Sequence, residues 1–256
     1  MFYQDENFYY DITEKEEYWK GEDMQQVIDS IAKSPNRKIL EVGCGIADIL
    51  RFLPKDIEYT GTDISELALE RAQARHKDTN AKFSYASAED LPFVDSAFDF
   101  VLMFNAIEHC RDPKKALNEI FRVLRPKGKL VLTGPNLDLP FSISHGIRHK
   151  NRWYKNYIRL LRTFDYAGRV FGFLKFRTIP MNFTEATGRY EKPDDDLRYF
   201  CSAYEVIEYL KRLGAEVTYI NKLQGQGLKF KVKKLITHLP GMRYYGKALS
   251  VILIKS

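Results

Sequence analysis

Cysteine is scarce in this 256-residue chain: Cys44, Cys110 and Cys201 are its three, scattered and odd in number. They leave no disulfide framework and argue for reduced thiols in a cytosol. Long apolar runs are missing as well. No uncharged stretch approaches the ~20 residues that a membrane span needs. The opening MFYQDENFYYDITEKEEYW is acidic and aromatic, without the basic and apolar regions of a secretory leader. Internal repeats and low-complexity tracts are also absent. These absences predict a cytoplasmic protein forming one domain over residues 1–256, with a core of ordinary size.

Positive charge is abundant but unevenly placed. The net charge is +6, yet residues 146–178 hold nine Lys/Arg against one acid, Asp165, and residues 217–256 hold eight Lys/Arg and no acid. The rest of the chain carries 23 basic and 33 acidic residues. An acidic body with two basic segments points to an anionic partner at one face, or to solvated surface lysines.

Strand and helix signals alternate, the mark of a parallel sheet covered by helices on both faces. Residues 14–32 predict a leading helix, and 38–42, 57–63, 81–86, 98–104 and 129–135 predict five strands. A helix is expected from Ile46 onward and another after Ser65, a natural N-cap. Asp112 and Pro113 open a further helix that Pro126–Gly128 should stop, and its Leu117, Ile120, Phe121 and Leu124 share one face. Ser202 and Glu205 read as a capping box for a helix closed by Gly214. Residues 216–220 and 249–255 are the last strands, making seven in all.

The stretch KILEVGCGIAD, residues 38–48, is a buried strand running into a glycine turn. Such turns lie beyond the carboxyl ends of parallel strands and let backbone approach an adenine nucleotide. Gly43 and Gly45 meet that need. A dinucleotide site wants a third glycine three residues on, and Asp48 stands there instead. Asp63, twenty positions beyond Gly43, can accept both ribose hydroxyls of any adenosine ligand.

The ensemble LEVGCGIADIL, YTGTDIS, SAEDLPFVDSAFDFVL, NAIEH, RVLRPKGKLVLTGPN and GAEVTYI resembles class I S-adenosylmethionine-dependent methyltransferases. The nearest subgroup in flavour contains the quinone-biosynthesis methylases. The resemblance implies a doubly wound seven-stranded α/β sheet, Rossmann-like, ending in a reversed hairpin, with a helical insertion after the fifth strand. It also implies S-adenosyl-L-methionine as cofactor. By motif, Glu41, Gly43 and Gly45 surround its methionine half, Asp63 holds the ribose and Ile64 packs on adenine. Ser87, Ala88 and Glu89 take the adenine edge, with Asn105 beside the cofactor and Tyr18 and Trp19 covering it. Ala47 occupies the place of a frequent third glycine, and Ser87 that of a usual aspartate.

A methyl acceptor with an ionisable hydroxyl benefits from a base. His109, with Glu108 beside it, follows the fourth strand at the ligand edge and is the candidate, set against a structural role under the next helix. His145 and His149 are four apart, but no acid or cysteine cluster completes a metal site. Cys110 reads as a small buried residue rather than a nucleophile, and Tyr190 is a possible pocket residue by position.

Residues 137–199 are far longer than an ordinary connection and should carry their own structure. Trp153, Tyr157, Leu161, Phe164, Val170, Phe171 and Leu174 recur near helical spacing, with Lys155, Arg159, Arg162 and Arg169 on another face. Gly168 and Gly172 weaken any single helix. The expected role is a cap over a small or lipid-linked anionic acceptor methylated at oxygen. Peripheral membrane contact through 146–178 is compatible with that, while RNA is the less favoured partner. A cofactor-binding protein without catalysis is the alternative of a different class.

Overall fold

A computed structural model describes residues 19–35, 37–138, 150–178, 199, 201–220, 235, 238, 244 and 248–256. Tyr18, His145, His149 and Tyr190 lie outside the described residues. The elements in chain order are α1 (Glu22–Ala32), β1 (Lys38–Val42), β2 (Glu58–Asp63), α2 (Glu66–Arg75), β3 (Lys82–Tyr85), β4 (Phe98–Phe104), α3 (Pro113–Val123), β5 (Leu124–Pro135), α4 (Arg152–Val170), α5 (Ala203–Arg212), β6 (Ala215–Ile220) and β7 (Ala248–Lys255).

The seven strands form one sheet in the order β3-β2-β1-β4-β5-β7-β6. β1 to β5 run parallel, and β7 lies antiparallel to both β5 and β6. This is the doubly wound sheet with a reversed terminal hairpin that the sequence predicts. Strand periodicity divides its two faces. Leu40, Val42, Val101 and Met103 pack with Leu117 and Ile120 of α3 and Val206 and Ile207 of α5. Ile39, Phe100 and Leu102 pack on the other face with Val27 and Ile31 of α1 and Leu69 and Ala72 of α2. Because both faces are covered, the central strands carry apolar residues on both sides rather than in strict alternation with polar ones. The chain leaves β1 towards β3 and returns to β4 on β1's other side, so a crevice opens at the carboxyl ends of β1 and β4.

Caps follow the sequence closely. Ser65 Oγ accepts from Ala68 N at 3.2 Å, and Asp112 Oδ1 from Lys115 N at 3.0 Å with Pro113 in the first turn. Four expectations change. α3 ends at Val123 and Leu124 already opens β5, so Pro126–Gly128 lie inside the strand rather than stopping the helix. After the glycine turn there is a single 3₁₀ turn, Asp48–Arg51, in place of a helix. Ala47 enters it with left-handed backbone, and Pro54 restricts Leu53 against continuing helix. The capping box of α5 is half formed. Ser202 Oγ accepts from Glu205 N at 3.2 Å, but the Glu205 carboxylate turns to Arg169, Tyr199 and Lys175 N. Finally, α4 runs unbroken through Gly168 and ends before Gly172, whose φ is +81°.

α4 is fastened by its inward face. Ile158 packs with Leu137, Tyr154 and Leu161. Arg162 donates to Leu137 O, and Arg169 pairs with Asp138 at 3.2 Å and Glu205 at 3.5 Å, all four side chains being buried. Burial pushes the Asp138 and Glu205 carboxyls up, opposed by Arg169. Burial, and then repulsion from Arg169, lowers Arg162 to about 10. The basic face expected outside therefore turns inward at Arg162 and Arg169.

Candidate active site

The glycine turn is tied to the end of β2. Gly43 N and Cys44 N both donate to Thr62 O, at 2.8 and 2.9 Å. Gly43 and Gly45 have φ of +71° and +51°, the left-handed region that glycine enters without strain. Their surroundings differ. A Cβ on Gly43 would lie 2.7 Å from Ala106 Cβ, whereas one on Gly45 would meet nothing within 4 Å. Gly43 thus lets two strand ends close together, and Gly45 keeps a space open.

Asp63 faces that space from the end of β2. Gly45 N donates to Oδ2 at 2.8 Å and Ser65 N to Oδ1 at 2.9 Å. Ile64 N adds a third amide contact, and the lone-pair capacity that remains is open to a ribose hydroxyl. Burial raises the Asp63 pKa, while these amides and the positive charge of His109 oppose the rise. Next to it Ile64 is 40% exposed, an apolar side chain with room above it.

The loop with Ser87, Ala88 and Glu89 follows β3. Ser87 Oγ accepts from Glu89 N at 3.2 Å, and the Glu89 carboxylate accepts from Arg111 N and Asp112 N at 2.7 and 3.1 Å. Glu89 therefore clamps this loop to the segment before α3. Arg122 holds the loop's far end through Leu91 O and Phe93 O. Asn105 leaves β4 exposed and left-handed, φ +47°, with its N donating to Thr133 O at 3.1 Å.

Glu108 and His109 diverge although adjacent, because a 3₁₀ turn rotates about 120° per residue. His109 lies within electrostatic reach of Asp63, with both of its ring nitrogens buried. Glu108 is buried beneath, where its Oε2 would approach a Cβ on Gly134 at 3.3 Å, and burial, with the charge of Glu108 adding to it, raises the Cys201 thiol. The acid expected beside the base is turned away from it.

Glu41 is buried and receives the Tyr59 hydroxyl. Burial raises its carboxyl from 4.5 to about 8, with Tyr59 opposing and Asp63 and Asp48 adding to the rise. Asp48, the residue that weakened the dinucleotide reading, pairs with Arg75 at 3.0 Å and Arg51 at 3.5 Å. Trp19 is buried edge-on against Phe104 at the end of β4, centroids 5.3 Å apart, with Phe52 on its other side. Sequence reasoning missed Tyr59 and Ala106. Alternation along β2 could have paired Tyr59 with Glu41, but nothing in the sequence marks Ala106. Among the described residues no group of three or more His, Cys, Asp or Glu is set to hold a metal ion.

A seven-stranded sheet with a reversed hairpin, a two-glycine turn at its switch point and a carboxylate ending the next strand together define a nucleoside-binding α/β enzyme. Residues 40–132 match the methyltransferase domain family. Over 221 residues the chain is 31% identical to the ubiquinone/menaquinone biosynthesis C-methyltransferase UbiE of Rickettsia felis, covering 81% of this chain and 77% of that protein. In fold it is similar to the PH0226 protein of Pyrococcus horikoshii, at a TM-score of 0.60 and 18% identity over 100% of this chain and 98% of that one. It is also similar to an S-adenosylmethionine-dependent methyltransferase of Mesorhizobium loti, at a TM-score of 0.56 and 15% identity over 92% and 99%. The chain belongs to the class I S-adenosylmethionine-dependent methyltransferases. It is an enzyme, and S-adenosylmethionine is its cofactor. The open space at Gly45, the accepting oxygens of Asp63 and the exposed Ile64 fit that molecule.

Proposed function

We propose that the enzyme methylates a small, lipid-linked acceptor bearing a ring hydroxyl, with the cofactor held by Gly43, Gly45, Asp63, Ile64 and the Ser87–Glu89 loop. The observation that carries this is the pairing of an open left-handed glycine with a carboxylate whose amide partners leave lone pairs to spare. When bound, the cofactor supplies a methyl group already activated on sulfonium. The protein's part is to align the acceptor, exclude water and take a proton. Trp19 and Phe104 wall one side of the crevice, and Asn105 offers a polar group at its mouth.

His109 is the proposed base, since an imidazole can take a proton near neutrality. Glu108 serves in place, buried, with its carbonyl oxygen accepting from Tyr199 N at 2.9 Å. Removing the proton of a ring hydroxyl enriches both the oxygen and the neighbouring ring carbons. The sequence favoured oxygen; the C-methyltransferase activity in the name of the Rickettsia relative favours carbon, and carbon is the atom we propose. Arg162, Arg169 and Arg177 are engaged with Leu137 O, Asp138 and Asp165. That removes three of the cations that suggested an anionic acceptor, so the lipid tail rather than negative charge carries the reading. Residues 137–199 are the proposed acceptor cap, because α4 is anchored to Leu137 and Asp138, just past the carboxyl end of β5.

The test is methyl transfer from isotopically labelled S-adenosylmethionine to short-chain hydroquinones, with the new bond located by NMR. A C–methyl product is expected, and His109→Ala should lower turnover about 10²- to 10⁴-fold while S-adenosylhomocysteine still binds. Undiminished turnover in that variant would remove the base assignment.

A further inference from the structure

The two faces of α4 are both apolar, and among the described residues only one is packed against a hydrophobic cluster. The inward face holds Ile158, Tyr154 and Leu161. The outward face presents Trp153, Tyr157, Leu160, Phe164 and Phe171, each more than half exposed and Trp153 at 85%. Their spacing of four, three, four and seven places them on one line of the helix. The 19-residue helix is about 28 Å long at 1.5 Å per residue, and the stripe runs its full length.

The charge around the stripe has one sign. Of the described cations in this segment, Arg162, Arg169 and Arg177 are turned to internal partners. Lys150, Arg152, Lys155, Arg159 and Lys175 remain at the surface or partly exposed. The helix's one acid, Asp165, is bound by Arg177. No helix among the described residues is long and apolar enough to cross a membrane. A helix with an aromatic stripe along one side, basic residues at the ends of that stripe and no unpaired acid lies in a lipid interface. A second copy fits less well, because a two-fold contact would bring the same cations together.

We propose that the outward stripe of α4 docks the enzyme onto an anionic lipid bilayer. Trp153, Tyr157, Phe164 and Phe171 enter the headgroup boundary, and Lys150 and Arg152 at the start of the stripe and Lys175 beyond its end meet the phosphates. α4 is stitched to Leu137 and Asp138 beyond the carboxyl end of β5, the sheet edge that also carries Gly45, Asp63 and Asn105. The docked enzyme therefore holds its cofactor edge near the membrane, where a lipid-linked acceptor would arrive. Docking deepens the proposed function but stands on the helix surface alone.

The chain's two tryptophans make the test specific. Trp19 is 6% exposed in the core and Trp153 85% exposed on the stripe, so a change in emission on adding vesicles reports Trp153. With vesicles of phosphatidylglycerol and phosphatidylcholine, the emission should move to the blue and be quenched by brominated lipid. Phosphatidylcholine alone should give a much weaker effect. Losing each cation should weaken partitioning about fivefold, so Lys150→Gln/Arg152→Gln should lose about 25-fold. Phe164→Ser/Phe171→Ser should weaken binding to both kinds of vesicle. S-adenosylhomocysteine titration of each variant shows separately whether the cofactor site is intact. Unshifted emission on anionic vesicles, from protein that still binds S-adenosylhomocysteine, overturns the proposal. So does a Trp153 already shielded from acrylamide in solution by a second copy or by the chain's own segments, or a response to single-stranded RNA alone.

Discussion

Replacing Gly45 by alanine separates what the turn does for the fold from what it does for the ligand. At φ +51° a Cβ meets nothing within 4 Å, so stability should fall only by the left-handed backbone penalty, about 1–2 kcal/mol. Gly43→Ala incurs the same penalty at φ +71° and also sets its Cβ 2.7 Å from Ala106 Cβ. Overpacking of that kind costs about 1–3 kcal/mol, which brings the sum for Gly43→Ala to about 2–5 kcal/mol. Binding should respond in the opposite order of specificity. The methyl on Gly45 enters the space offered to the cofactor, and an intrusion of about 1–3 kcal/mol raises Kd about 5- to 150-fold. Urea denaturation followed by circular dichroism, with calorimetric titration of S-adenosylhomocysteine, measures both quantities. Adding Ala106→Gly to Gly43→Ala should restore the packing part of the stability and leave the backbone part. The reasoning is refuted if Gly45→Ala destabilises as much as Gly43→Ala, or if it binds S-adenosylhomocysteine as the parent does.

Two further perturbations concern buried charge. Glu41 sits at about 8 against 4.5 in an exposed chain, and a tenfold change in proton affinity is worth about 1.4 kcal/mol. Its folded pKa is raised, so its contribution is fully present below pH 4.5 and is lost as pH rises towards 8, by up to about 5 kcal/mol. Glu41→Gln keeps an acceptor for Tyr59 and should flatten the stability profile across that window; a profile parallel to the parent's would contradict the assignment. Arg169→Met should cost about 3–5 kcal/mol, because it leaves Asp138 and Glu205 buried without their cation. Adding Asp138→Asn and Glu205→Gln should recover part of it, as thermal or urea unfolding would show.

The strands and caps were legible because they obey local rules. Phe100–Phe104 is an apolar run with both faces buried, and Ser65 and Asp112 cap the helices they precede. Errors arose where a long-range partner outbid a local preference. Glu205 looks like the second half of a capping box, yet Arg169, more than thirty residues away in sequence, draws its carboxylate. Gly168 looks like a helix breaker, but a helix whose inner face is buried tolerates one glycine. Arg162 and Arg169 read only as sharing a face with Lys155 and Arg159, because a helical wheel shows which residues share a face and not which face the rest of the chain covers. At the site, the glycines and Asp63 were visible from spacing. The divergence of Glu108 and His109 depends on a 3₁₀ turn that two adjacent letters do not reveal.

The most direct measurement is calorimetric titration of S-adenosylmethionine and S-adenosylhomocysteine, with NADH as the control, into the parent and Asp63→Ala proteins. Saturable binding of both adenosyl ligands, lost or greatly weakened in folded Asp63→Ala and absent for NADH, is the expected result. Unchanged affinity in Asp63→Ala, or equal binding of NADH, would contradict the site built from Gly43, Gly45 and Asp63.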